Sequence, residues 1–102
     1  MKKEGETMEG SNPEEEYRKE LIVTGRVQGV GFRYFTQRLA GQYHIRGRVK
    51  NLFNGDVRVR VIGNNLEAFL SELRKGPAFA EIWDIGIKEL SRTFDYEDFQ
   101  IE

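Results

Sequence analysis

Hydrophobic positions along residues 18–102 repeat with the spacing of strands in some segments and of helices in others. A first strand, rich in β-branched residues, is predicted around Leu21, Ile22, Val23 and Val27. A helix is predicted next, because apolar side chains recur three or four positions apart at Phe32, Phe35, Leu39 and Tyr43. The residues from Ile45 through Val49 to Phe53 predict a second strand.

The following segment predicts a hairpin. Asn54-Gly55 is a strong turn signal, since both residues tolerate positive φ. Asp56–Ile62 then alternates, and we expect valines on one face and arginines on the other: Val57, Val59 and Val61 against Arg58 and Arg60. Such alternation is typical of a half-buried strand. We interpret the arginine face as solvated, with a wider positive field that guides anions as the alternative.

A second helix and a final strand complete the pattern. The helix has an apolar stripe at Leu66, Phe69, Leu70 and Leu73. Asn64 with Glu67 resembles a capping box at its start, and Gly76-Pro77 predicts its end. Ala80–Leu90 is expected to form a fourth strand, and Phe99 with Ile101 a short edge strand.

The predicted order is β-α-β-β-α-β, which is the ferredoxin-like split βαβ arrangement of the α+β class. Two helices are expected to pack on one face of an antiparallel sheet. Aromatic and isoleucine side chains are assigned to its core: Phe32, Phe35, Ile82, Trp83, Ile85 and Ile87. Surface charge is the interpretation for Asp84, Asp95, Glu97 and Asp98, which lack metal-ligand spacing. This fold serves many functions, so it does not identify one.

Residues 1–17 differ from the rest in composition. They contain glycine, proline, serine and a glutamate run, with almost nothing apolar to bury. Such a segment cannot offset its chain entropy, so we expect a disordered acidic tail followed by one domain over residues 18–102. There is no apolar run near the roughly 20 residues of a membrane helix and no signal peptide, and a cytoplasmic location is expected.

Composition excludes several kinds of chemistry. The chain has no cysteine, so disulfides and thiolate catalysis are excluded. The single histidine, His44, is expected in a loop without a catalytic role. Residues 21–102 carry a net charge of +2, too weakly basic to indicate nucleic-acid binding.

Three glycines interrupt the chain between the first strand and the first helix, at Gly25, Gly29 and Gly31. Free N–H groups at the start of a helix, together with a glycine-rich turn, favour anion binding. Arg33 could grip the same anion with two parallel hydrogen bonds, and Arg26 adds charge nearby. The spacing matches neither a Walker A loop nor a dinucleotide fingerprint. From spacing alone, a purely structural tight turn is equally open.

Two longer motifs make the sequence recognisable. Residues 25–33 read GRVQGVGFR, and residues 47–55 read GRVKNLFNG. Both motifs, at this separation, resemble the two signatures of the acylphosphatase family, and the resemblance extends over residues 19–102. Arg48 departs from it, because the family usually has an aromatic residue there. Strand alternation places Arg48 on the face opposite to Asn51.

The resemblance implies an enzyme that hydrolyses the carboxyl–phosphate bond of acyl phosphates. Arg33 resembles the phosphate-binding arginine, and Asn51 the asparagine that positions the attacking water. The backbone of Gln28, Gly29, Val30, Gly31, Phe32 and Arg33 corresponds to the phosphate-binding loop. No metal and no cofactor is expected. The expected partner is a small acyl phosphate, and inorganic phosphate or sulfate could occupy the same site. The protein is expected to be a monomer. Neither nucleic acid nor membrane is an expected partner.

Three other functions remain as alternatives. An anion-binding module would have the same fold without turnover, but the presence of both Arg33 and Asn51 argues against it. The acylphosphatase-like domain of carbamoyl-transferring maturation proteins has similar motifs. An RNA-binding module would need aromatic residues on its third strand, and Asp56–Gly63 contains none.

Overall fold

The computed structural model describes residues 16–102. The disordered tail predicted over residues 1–17 lies outside the described residues except for its last two. Tyr17 is the first residue of a strand, and the Glu16 carboxylate accepts hydrogen bonds at 2.8 and 3.2 Å from the Arg46 guanidinium.

Five strands, the last of them short, and two helices follow one another in the predicted order. Their bounds are β1 (Tyr17–Arg26), α1 (Phe32–Gln42), β2 (Arg46–Asn51), β3 (Val57–Gly63), α2 (Leu66–Leu73), β4 (Glu81–Glu89) and β5 (Phe99–Ile101). The sheet order is β4-β1-β3-β2-β5. Neighbouring strands are antiparallel except β2 and β5, which are parallel. The α+β split βαβ prediction is confirmed, with a parallel rather than antiparallel last pair.

The core lies between the helices and one face of the sheet. Val57, Val59 and Val61 of β3 are at most 1% exposed, as their alternation predicts. Phe32 of α1 and Phe69 of α2 pack on this face and are equally buried. Each fully buried side chain of this kind contributes about 1.5–3 kcal/mol. No helix within residues 16–102 is long and apolar enough to cross a membrane.

The prediction that β4 contributes a block of core side chains is wrong for two of its members. Trp83 is 69% exposed and Ile87 is 44% exposed, whereas Ile85 is buried. The cause is the position of β4 at the sheet edge, since α1 packs mainly over β2 and β5, and α2 over β3. Trp83 is also the extra residue of a β-bulge, because Thr24 pairs with Asp84 and Gly25 with Ile82.

The outer face of the sheet is not simply solvated. Arg60 has a side chain only 24% exposed, because the segment over residues 90–98 crosses this face. Its guanidinium lies 4.9 Å from the Phe94 ring centre and donates to the Glu20 carboxylate at 2.8 Å. Arg58 is equally exposed and lies 3.5 Å from the Glu102 carboxylate. The solvated interpretation of the two arginines is therefore wrong.

Contacts on the outer face of the sheet account for Arg48, which stands where the family motif usually has an aromatic residue. Arg48 points away from the helices, as strand alternation predicts, and its guanidinium lies 4.6 Å from the centre of the Tyr96 ring. It also pairs with Asp98 at 3.2 Å. The segment after β4 thus supplies an aromatic ring where the family motif usually has one in the strand itself, and Arg48 stacks on that ring.

Two local predictions differ in detail. The N-cap of α2 is Asn65 rather than Asn64, and no side-chain hydrogen bond caps the helix, so the capping box is wrong. The β2–β3 hairpin forms as predicted, but Gly55 is its only residue with positive φ (97°). Asn54 instead uses its side-chain oxygen to accept from the Asp56 N–H at 3.0 Å.

Candidate active site

The glycine-rich segment forms the turn from β1 into α1. Gly29 and Gly31 have φ values of 74° and 81°, in the left-handed region that favours glycine. Gly31 is the N-cap of α1, and the first helical turn contains no acidic residue. The N–H groups of this turn therefore have neither intrahelical acceptors nor a competing carboxylate. They lie at the positive end of the helix dipole, where an anion is stabilised.

Arg33 is the second residue of α1, and its guanidinium is held in place from outside the helix. Its Nη1 donates to the main-chain oxygen of Glu102 at 2.9 Å. Glu102 is tied in turn to the sheet, because its N–H donates to the Val49 carbonyl at 2.8 Å. The arginine is thereby fixed at the edge of the loop, with guanidinium N–H groups left for a phosphate oxygen.

Asn51 is the last residue of β2 and lies on the same face as buried Val49. Its side-chain oxygen Oδ1 is buried and has no hydrogen-bond donor within residues 16–102. An acceptor buried without a donor costs about 1–3 kcal/mol. A donor from water or a ligand relieves this cost, so the unpaired atom makes Asn51 a candidate binding residue.

One cavity of about 200 Å³ joins these groups. Its lining residues are Val27, Gly29, Gly31, Phe32, Arg33, Tyr34, Asn51 and Ile101. Arg33 and Asn51, eighteen positions apart in the sequence, thus meet beside the glycine turn. Larger depressions of about 440 and 530 Å³ occur at the start of α2 and beside residues 95–98, away from the glycine turn.

Gln28 and Val30, also named by the sequence analysis, do not line this cavity. Val30 packs against the core. The Gln28 side chain donates from Nε2 to two carbonyl oxygens, at 2.7 Å to Leu52 and at 2.8 Å to Asp56. These carbonyls flank the hairpin turn that follows Asn51. Gln28 therefore ties the glycine turn directly to the hairpin that carries the asparagine.

Tyr34 and Ile101 line the cavity, and the main-chain oxygen of Glu102 accepts from Arg33, although no sequence motif indicated any of the three. Tyr34 directly follows Arg33, but nothing in its helical spacing distinguishes it from an ordinary surface residue. Ile101 is close to the second motif only in the folded protein, because β5 pairs with β2 in parallel and places Ile101 beside Val49. His44 is exposed, with a positive φ of 57°, and does not line this cavity. Within residues 16–102, no three His, Asp or Glu side chains are grouped as metal ligands.

Comparison with known proteins gives consistent matches over the described domain. The family model described as Acylphosphatase matches residues 19–101. The acylphosphatase of Clostridium acetobutylicum is 48% identical over 83 residues, covering 79% of this chain and 91% of that protein. The crystal structure of acylphosphatase from Bacillus subtilis is similar with a TM-score of 0.78 at 38% identity, over 83% of this chain and 97% of that one. Full-length HypF in its phosphate- and nucleotide-bound form is similar with a TM-score of 0.79 at 32% identity, over 86% of this chain but 12% of that protein.

Proposed function

The chain belongs to the acylphosphatase family and hydrolyses acyl phosphates, and on that premise we propose that Arg33 and Asn51 carry the reaction in the 200 Å³ cavity. The observation that supports this most is their convergence beside the glycine turn, from the start of α1 and the end of β2. The products are a carboxylate and inorganic phosphate.

In this proposal the phosphate group is bound by the Arg33 guanidinium and by main-chain N–H groups of the loop over residues 28–33, of which Gly29, Gly31, Phe32 and Arg33 line the cavity. Two features support an oriented donor set, namely the left-handed glycines of the turn and the hydrogen bond from Arg33 to the main-chain oxygen of Glu102. Phosphoryl transfer depends mainly on positioning and on stabilising charge at the phosphate oxygens. One oriented donor of this kind is typically worth about 10²–10³ in rate.

Asn51 positions the water that attacks phosphorus. The unpaired Oδ1 supports this role, because it is an acceptor without a donor within residues 16–102, on a residue that lines the cavity. A bond forms between the water oxygen and phosphorus while the bond from phosphorus to the acyl oxygen breaks. The carboxylate leaves as a weak base, so little general-acid help is needed. The amide does not titrate near neutral pH, and the water's proton passes to the phosphate itself.

We propose a reaction without a metal or cofactor. Arg33 is the single cation among the described lining residues, and in this proposal its guanidinium and the loop N–H groups are the donors to the phosphate. Two further expectations from the sequence remain proposals, namely a cytoplasmic location and a monomeric state. Analytical ultracentrifugation measures the second, and a species of twice the 11.9 kDa chain mass would contradict it.

The experiment measures phosphate release from benzoyl phosphate in EDTA by the wild type, Arg33→Ala and Asn51→Ala. We expect each variant to lose about 10²-fold or more in kcat/KM. Inorganic phosphate and sulfate should inhibit the wild type competitively. Asn51→Ala should retain phosphate inhibition, whereas Arg33→Ala should weaken it. Arg74→Ala and Asn64→Ala change exposed residues of the same types and serve as controls.

Two results would contradict the proposal. A wild type no more active than the two site variants would indicate an anion-binding module rather than an enzyme. Activity that EDTA abolishes and added metal restores would refute the reaction without metal.

A further inference from the structure

The turn between β2 and β3 contains a chemically reactive pair of residues that the proposed reaction does not use. Asn54 is followed by Gly55, and this is the one Asn-Gly pair of the chain. The main-chain nitrogen that follows an asparagine can attack the side-chain amide carbon and close a succinimide ring. Glycine hinders this attack least, because it has no Cβ. The pair is therefore a candidate for spontaneous deamidation.

The fold leaves this pair accessible. Asn54 is exposed and Gly55 is half-buried. A Cβ placed on Gly55 would have no heavy atom of the described residues within 4 Å beyond the adjoining residues, so the space beside it is open to water. The other asparagines of residues 16–102 each precede a larger residue, namely Asn51, Asn64 and Asn65.

Two hydrogen bonds hold the Asn54 amide within the turn. Its Oδ1 accepts from the Asp56 N–H at 3.0 Å, so the side chain folds back over the intervening Gly55 peptide. This bond withdraws electron density from Cγ, which is the atom that the Gly55 nitrogen would attack. The Asn54 Nδ2 donates to the Asp56 carboxylate at 3.2 Å. The amide is thus kept beside its attacking nitrogen and is activated towards it.

A third hydrogen bond opposes the attack and connects it to the rest of the site. The Gly55 N–H donates to the Leu52 carbonyl at 3.2 Å, and this bond must break before the nitrogen can attack. The same carbonyl accepts from Gln28 Nε2 at 2.7 Å, and Gln28 also binds the Asp56 carbonyl at 2.8 Å. Because Gln28 holds both sides of the turn, we expect it to limit how often the turn opens.

We propose that Asn54 is a site of spontaneous deamidation and that the modification lowers activity by displacing Asn51. The Gly55 nitrogen bonds to Cγ of Asn54, the bond from Cγ to Nδ2 breaks, and the proton of Gly55 passes through water to the departing nitrogen, which leaves as ammonia. Water then opens the succinimide at either carbonyl and gives aspartate or isoaspartate. The effect on activity rests on the proposed role of Asn51, whereas the modification itself does not.

Each product disturbs the turn in a different way. In the aspartate product an oxygen replaces Nδ2, so two carboxylates face each other where a 3.2 Å hydrogen bond stood. In the isoaspartate product the main chain gains a methylene before Gly55, which shifts the Gly55 N–H away from the Leu52 carbonyl. Asn51 directly precedes this turn, and a displacement of about 1 Å at a reacting group can cost about 10²-fold in rate.

The first experiment measures the modification without any substrate. The full chain is incubated in mildly alkaline buffer, digested, and analysed by mass spectrometry and by enzymatic methylation of isoaspartate. We expect the peptide that contains Asn54 to exchange its amide for a carboxyl group, while the peptide that contains Asn64 and Asn65 stays unchanged. Hydroxylamine should cleave the chain between Asn54 and Gly55. Gln28→Met should accelerate the modification by about 5-fold or more, and Gln37→Met should not.

The second experiment measures the consequence with benzoyl phosphate. The isoaspartate form, separated by ion exchange, should lose about 10-fold or more in kcat and keep its inhibition by inorganic phosphate. Asn54→Asp represents the other product and should lose less. Asn54→Ser is the matched control, because a hydroxyl can still accept from the Asp56 N–H but cannot deamidate. After the same incubation it should keep its initial activity, and thermal unfolding checks that each variant is folded.

The outcomes separate the modification from the function. If Asn54 is modified in urea but not in the folded chain, the turn protects it and the proposal is overturned. If the isoaspartate form has the kcat of the wild type, or if Asn54→Ser loses activity equally fast, the effect on Asn51 is refuted. A fresh wild type without activity would refute the proposed function instead, while the mass measurement would still decide the modification.

Discussion

The contact between Gln28 and the β2–β3 hairpin supports a prediction about how the site is held together. Gln28→Met replaces the side-chain amide with an apolar chain of similar length, and so removes the donor to the Leu52 and Asp56 carbonyls. The main chain of the glycine turn and the Arg33 side chain are not altered. The substitution therefore tests the position of the hairpin rather than phosphate binding.

The magnitude follows from two neutral hydrogen bonds. Each contributes about 0.5–1.5 kcal/mol net, so we expect the free energy of unfolding to fall by about 1–3 kcal/mol. Asn51 lies directly before the hairpin turn, and a displacement of about 1 Å at a reacting group can cost about 10²-fold in rate. We expect kcat to fall by about 10- to 100-fold. Inhibition by inorganic phosphate should be retained within about 3-fold.

The assay combines urea unfolding with steady-state hydrolysis of benzoyl phosphate. Gln37→Met is the matched control, because Gln37 donates one hydrogen bond of 3.1 Å to the Phe99 carbonyl and does not touch the hairpin. It should lose about 0.5–1.5 kcal/mol of stability with little change in kcat. If Gln28→Met lost the expected stability but kept kcat within 2-fold, the positioning role would be refuted. Loss of phosphate inhibition would show that the turn itself had collapsed.

Three further predictions concern the sheet. Burial raises the pKa of the Glu20 carboxyl, but the hydrogen bond and charge of Arg60, with the charges of Lys88 and Arg58, hold that pKa below its ordinary value of 4.5. The stability that the ionised carboxylate contributes is therefore complete above pH 4.5 and is lost as the pH falls through the lower folded-state pKa. Glu20→Gln should lower the free energy of unfolding in urea by about 1–2 kcal/mol at pH 7, and should not change it at a pH well below that pKa. An equal loss at the two pH values would contradict this. Gly25→Ala should destabilise by about 3 kcal/mol or more in thermal unfolding, because φ is 144° and the added Cβ would collide with the Glu81 carbonyl; a stable variant would show that the β-bulge can rearrange. Trp83→Ala should change the free energy of unfolding by less than about 0.5 kcal/mol, because the side chain is largely exposed. A loss above about 2 kcal/mol would indicate that Trp83 packs in the core.

The element order and the main features of the core could be predicted from the sequence. Period-two alternation placed Val57, Val59 and Val61 on one face of β3, and helical spacing placed Phe32 and Phe69 towards the sheet; the structure confirms both. These patterns are reliable because the side-chain direction within a strand or helix follows from backbone geometry alone. The two motifs with Arg33 and Asn51 likewise indicated the family before any geometry was known.

The same reasoning failed where burial depends on what lies opposite. Trp83 and Ile87 have the composition of core residues, yet β4 is an edge strand, and α1 packs mainly over β2 and β5 and α2 over β3. Arg58 and Arg60 have the composition of a solvated face, yet Arg60 packs on the Phe94 ring and Arg58 pairs with the Glu102 carboxylate. Neither outcome can be obtained from the local pattern, because it depends on the strand order and the path of a later segment.

The candidate site shows the same division. The sequence by itself determined the glycine turn, the arginine that follows it and the asparagine in the second motif, because local backbone freedom and residue type specify them. The tertiary structure alone decided which distant groups complete the site. Gln28 reaches the hairpin 24 and 28 positions away, Arg33 is held by the main-chain oxygen of Glu102 69 positions away, and Ile101 lines the cavity. Sheet pairing brings these residues together, and no spacing along the chain encodes pairing over such separations.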